Sequence, residues 1–200
     1  KTFGSPSALD IQRAHALIKA SKSKINLTSH QRLHTTDEAL EYMKTFVNQY
    51  GFNVTVKSAT HISSKAMVSN SKKSVILKQG ERFSALELEA LANHEIGVHL
   101  VTTFNAENQK LKIFSLGFPF NVQTQEGLAV LAEYYSGALN FDRIFELAVR
   151  VILADNVIKG LSFATSFDQL VGEYKLSRDH AFKLATRLYR GGGFTKDRLY

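Results

Sequence analysis

A mainly helical α+β fold is what this sequence predicts, and three observations predict it. Through most of the chain, apolar residues recur at helical spacing behind side chains that cap helices. Only the segment 53–77 alternates in the manner of strands. Two hundred residues, 44% of them hydrophobic, suffice for one core, so a single domain over residues 1–200 is the expectation.

In order along the chain, Ala8 to Ala20 reads as an amphipathic helix with Ile11, Ala14, Leu17 and Ile18 on one side and His15 elsewhere on its surface. Ser21 to Thr35 is polar and irregular, and its His30 and His34 lack a nearby acid to complete a metal site. Thr35 and Glu38 form a capping box, so a helix follows to about Gln49, with Leu40, Met43, Phe46 and Val47 inward and Gly51 ending it. Asn53 to Lys57 is a strand by its alternation. Ala66 to Val68 and Ser74 to Leu77 read as a hairpin around Ser69, Asn70 and Ser71. A small antiparallel sheet is the result. It precedes the next helix directly, so an extended peptide could add to its edge beside that helix.

Ser84 to Thr103 is that helix, opened by a Ser84 and Glu87 capping box and striped by Leu86, Leu88, Leu91, Ala92 and Ile96. After a polar connector broken by Gly117 and Pro119, Thr124 is the expected cap of a helix to Tyr135. Asn140 to Ile158, Ser166 to Tyr174 and Ser177 to Tyr189 complete the helical count, and three glycines, Gly191 to Gly193, lie in the tail.

The chemistry is concentrated in the helix from Ser84. His94, Glu95 and His99 interrupt an apolar surface where their burial is costly unless something pairs with them, and a metal ion does so. The pattern differs by one residue from the zinc-peptidase pattern His-Glu-x-x-His, in which the Glu is the general base. Five residues span about 500°, so an ideal α-helix would point His94 and His99 apart. One widened π-type turn would bring them together, and Gly97 is the residue most able to absorb it. Glu126 suits a helix N-terminus, yet Glu126 and Glu133 share an apolar face with Ala129 and Val130, and two such carboxylates call for a cation. Glu126 is therefore the expected third ligand. Glu133 is a partner for a ligand histidine or else the ligand itself.

Composition bounds the remaining choices. Without Cys there are no disulfides or thiolate ligands, which fits a reducing compartment and makes a cytoplasmic location the expectation. No apolar run reaches membrane-spanning length, so no membrane association is expected. A net charge of +7 allows an acidic partner surface, but the scattered basic residues carry no nucleic-acid recognition signature. A start at Lys1 without Met reads as a fragment or a processed form.

Together, NHEIGVH at 93–99 and TQEGLAVLAEY at 124–134 resemble the QEGLA-motif family, which includes flavohemoglobin expression-modulating bacterial proteins and the microtubule-associated tyrosine carboxypeptidases. The ending RGGGFTKD is also similar. The resemblance implies a zincin-like metallopeptidase core, with zinc on His94, His99 and Glu126 and with Glu95 catalytic. It further implies a peptide or protein C-terminus as substrate, which in the eukaryotic members is the terminal tyrosine of α-tubulin. A carboxypeptidase needs a cation for the terminal carboxylate, and Arg187, Arg190 and Lys196 are the candidates. Tyr134 or Tyr189 is the candidate donor to an oxyanion. The alternatives from other classes are a metal-braced binding or regulatory module and a metal-dependent amidase for a small peptide-like ligand.

Overall fold

The run Val75, Ile76 and Leu77 forms a strand buried on both faces, and the unit made by residues 28–139 is built around it. The computed structural model describes residues 5–22, 33–62, 64–117 and 121–190, shared between this unit and a second one made by 1–27 with 140–200. His30, Pro119, the three glycines and Lys196 lie outside the described residues.

Within the first unit, β1 (Leu33–His34) leads into α2 (Thr36–Gln49); α1 (Ala8–Lys22) belongs to the other unit. Thr35 caps α2 as its sequence predicts, with Thr35 Oγ1 accepting from the Glu38 amide and the Glu38 carboxylate accepting from the Thr35 amide. Strands β2 (Thr55–Ala59), β3 (Ala66–Ser69) and β4 (Ser74–Lys78) follow in the spatial order β2-β4-β3. β3 and β4 are the expected antiparallel hairpin, pairing Ala66 with Leu77 and Ser69 with Ser74.

The sheet as a whole is mixed rather than antiparallel, because β2 runs parallel to β4 in the register Thr55 with Ser74 through Ala59 with Lys78. A parallel pair needs a crossover of about a dozen residues or more, and the segment 60–73, which contains β3, supplies it. β5 (Phe83–Ser84) pairs antiparallel with β1 and hands the chain to the long helix. Ala39, Met43 and Val47 of α2 pack with Ala66, Val75, Leu77 and Phe83 against the helix line Leu88, Ala92, Ile96 and Leu100.

That helix has three parts: α3 (Ala85–Leu91), a π-helical segment (Ala92–Leu100) and α4 (Val101–Glu107). Ser84 Oγ accepts from the Glu87 amide, but the Glu87 carboxylate pairs with Lys65 Nζ at 2.7 Å instead of closing the capping box. The buried line repeats every four residues, so the apolar stripe is narrower than the sequence implies: Leu86 is exposed and Leu91 half-buried. After a 3₁₀ turn (Lys112–Leu116) comes α5 (Asn121–Tyr135), which packs along the π segment. Thr124 lies inside α5 rather than capping it, so Glu126 is past the first turn and the helix dipole does not account for its place.

The second unit contains α1 (Ala8–Lys22), α6 (Phe141–Ile158), α7 (Phe163–Gly172) and α8 (Arg178–Tyr189). Asn140, Ser162 and Ser177 cap the last three. α1 lies against α6, and Ala14 and Ile18 join Val149, Leu153, Leu170, Leu184 and Leu188 in one core. Among the described residues no helix is long and apolar enough to cross a membrane.

Candidate metal centre

The backbone of Ala92–Leu100 determines what can face α5. Hydrogen bonds in a π-helix join residues five apart, as the Val101 amide does with Ile96 O, and residues at that spacing stack on one side. The widening runs through nine residues instead of a single bulge. His94 and His99 consequently face the same way, with ring centroids 5.1 Å apart and planes inclined at 65°. A Cβ built on Gly97 would meet the Tyr50 hydroxyl at 3.5 Å, an ordinary contact, so the geometry does not depend on glycine there.

Helix α5 lays Glu126, Ala129 and Glu133 toward the π segment, all buried. Glu126 receives both imidazoles: His94 Nε2 lies 3.7 Å from its Oε2 and His99 Nε2 lies 4.0 Å from its Oε1. The opposite ring nitrogens face other residues of the same helix. His94 Nδ1 is 2.8 Å from Glu133 Oε1, and His99 Nδ1 is 3.2 Å from Gln125 Oε1.

One ligand atom from each of His94, His99 and Glu126 falls within 4.8 Å of the others, so this group could hold a metal ion. Zinc bonds to nitrogen or oxygen of about 2.0–2.1 Å at tetrahedral angles set ligand atoms about 3.4 Å apart. The 3.7 and 4.0 Å separations are a few tenths of an ångström wider than that. Two imidazoles and a carboxylate are also a donor set zinc accepts, with a fourth position open.

Without a metal, the electrostatics favour a proton at the same place. Burial alone lowers the pKa of His94, but the Glu126 and Glu133 carboxylates facing its two ring nitrogens and the nearby Glu95 charge outweigh it, raising the value to about 9. A cluster that attracts a proton so strongly offers the same negative field to a cation.

Among the remaining sequence candidates, Glu95 follows His94 in the π segment and is partly buried. Tyr134 follows Glu133 on α5 and is 62% exposed. Arg187 and Arg190 belong to the second unit, on α8 and at its C-terminal cap. Tyr189 is in that unit too, its hydroxyl within hydrogen-bonding distance of Leu161 O, Ser162 O and Ser166 Oγ. Gln125 is a participant that the sequence reading missed. Its signal was the need of a second ligand histidine for an Nδ1 partner, and Gln125 is the polar neighbour of Glu126.

Helices carrying two histidines and a carboxylate within coordination reach define a candidate metalloprotein of mainly helical α+β build. The chain belongs to the microtubule-associated tyrosine carboxypeptidase family, whose family model matches residues 1–200. This confirms the resemblance carried by the NHEIGVH and TQEGLAVLAEY motifs and places the chain among carboxypeptidase-like peptidases. No curated protein matches it.

Proposed function

We propose that this chain is a zinc-dependent carboxypeptidase of zincin-like design that removes a C-terminal residue, tyrosine being the first candidate, from a protein or peptide. The observation that carries the proposal is the placement of both Nε2 atoms against the two oxygens of buried Glu126, with both Nδ1 atoms engaged elsewhere.

A zinc ion held by His94, His99 and Glu126 would supply Lewis acidity, which polarises a carbonyl and makes water acidic near neutral pH. Glu133 accepts a hydrogen bond from His94 Nδ1 and so keeps the Nε2 lone pair available. Glu95, beside the first ligand, accepts a proton from the attacking water as its oxygen bonds to the scissile carbonyl carbon. It then delivers that proton to the amine as the carbon–nitrogen bond breaks. Tyr134, on the same helix as Glu126 and Glu133, is the hydroxyl we assign to the oxyanion.

The β3 strand supports a peptide as substrate. It is an edge of its sheet and packs against the π segment, so an extended chain could pair with its backbone. The test is Glu95→Gln in protein that still retains zinc. Hydrolysis of a peptide with a free C-terminus should fall by at least about 10²-fold, the usual contribution of a general base. Undiminished hydrolysis would remove Glu95 from the reaction, and equal cleavage of a C-terminally amidated peptide would exclude a carboxypeptidase.

A further inference from the structure

Both candidate ligand imidazoles turn their Nδ1 atoms onto α5, but they meet different chemistry there. His94 meets the carboxylate of Glu133 at 2.8 Å, while His99 meets the side-chain amide of Gln125 at 3.2 Å. A carboxylate can only accept a hydrogen bond. An amide offers an acceptor and a donor on one planar group, so its orientation decides which nitrogen of the facing ring carries hydrogen.

A neutral imidazole that binds through Nε2 must carry its hydrogen on Nδ1, and that hydrogen needs an acceptor. Gln125 Oε1 is the acceptor facing His99 Nδ1. With the amide turned over, its NH₂ group would donate to Nδ1. The ring hydrogen would then sit on Nε2 and point at Glu126 Oε1, which lies 4.0 Å away. In that arrangement His99 could not be a ligand.

We propose that Gln125 is a positioning residue that selects the Nδ1–H tautomer of His99 and holds its ring with Nε2 toward Glu126. The proposal rests on the metal-centre reading for its functional consequence, but the tautomer it specifies exists without metal. A neutral amide at 3.2 Å, where His94 has a carboxylate at 2.8 Å, makes His99 the less firmly oriented of the two rings. Gln125 is only half-buried, so its replacement does not open a cavity in the core.

The experiment compares wild type, Gln125→Leu and Gln125→Glu. Zinc affinity is measured by competition with a chromophoric chelator, and the His99 tautomer by nitrogen-15 NMR of the metal-free protein at mildly alkaline pH. Leucine should weaken zinc binding about 10–100-fold, the usual cost of losing such a partner, and should populate the Nε2–H tautomer. Glutamate retains an acceptor, so it should keep the Nδ1–H form and bind zinc within about threefold of wild type or more tightly. Wild-type affinity together with an unchanged tautomer in Gln125→Leu would overturn the proposal. So would a wild-type His99 already in the Nε2–H form. A wild type that binds no zinc would instead sink the peptidase reading, leaving the tautomer comparison to decide the role of Gln125.

Discussion

Glu133 Oε1 lies 2.8 Å from His94 Nδ1, and Glu133 is 1% exposed. The pair fixes one face of the imidazole from inside the protein, which leaves Nε2 as the only ring nitrogen directed at Glu126. Glutamine at position 133 could still accept from Nδ1, whereas leucine could not. Glu133→Gln should therefore weaken zinc binding modestly, and Glu133→Leu by about 10–100-fold, in a chelator competition assay. Equal affinities for both variants and wild type would show that the contact does not orient a ligand.

The raised pKa of His94 gives metal and proton opposite preferences. Its folded value of about 9 exceeds the ordinary 6.5, so the metal-free protein is stabilised by this histidine below about pH 6.5 and loses that contribution as pH rises through 9. Zinc must displace the proton, so its apparent affinity should climb over the same interval and level off above it. Thermal denaturation with chelator should consequently show stability falling from about pH 6.5 to 9, whereas with excess zinc, where neither the folded nor the unfolded chain holds this proton, the histidine should contribute no trend over that interval. Parallel trends would contradict the account.

In the second unit, Glu146 lies 3.3 Å from His180 Nε2 and 3.6 Å from Arg143. Burial would raise its pKa, but the His180 hydrogen bond and the charges of Arg143 and Arg150 dominate and lower it to about 2. Its stabilising contribution is present above the ordinary value of 4.5 and is lost as pH falls toward 2. Glu146→Gln should reduce stability at neutral pH and flatten the acid limb of the unfolding curve. An unchanged acid limb would show that the ion pairs do not contribute.

Gly97 offers a test of the π segment. A Cβ there meets only the Tyr50 hydroxyl at 3.5 Å and two more distant atoms, and its backbone does not require positive φ. Gly97→Ala should fold, bind zinc as wild type does, and gain up to about 1 kcal/mol from helix propensity in denaturant unfolding. A loss of zinc binding would mean that glycine is needed for the widened turns after all.

What could be read from sequence was local and self-contained. The Thr35 and Glu38 box, the hairpin of Ala66 and Ser74, and the helices that begin at Asn140 and Ser177 each depend on residues a few positions apart, and each appears in the structure. The five-residue spacing of His94 and His99 required a π turn if both were to face one ion, and the segment is π-helical. Its length over nine residues had no local signal. The parallel pairing of β2 with β4 was equally hidden, because alternation within 53–57 fixes neither strand direction nor partner. Thr124 misled because a good capping residue also occurs inside helices, and Asn121 upstream of it is already helical. Gln125 went unnoticed because only an imidazole from another helix, His99, gives it a role.

The most direct measurement is zinc content per chain, by elemental analysis after dialysis, in wild type and in His94→Ala, His99→Ala and Glu126→Ala. The proposed centre predicts one ion per chain in wild type, with His94 and His99 as neutral ligands beside the Glu126 carboxylate, and near-complete loss in each variant that still folds. Wild type without zinc, or variants that all retain it, would contradict the account.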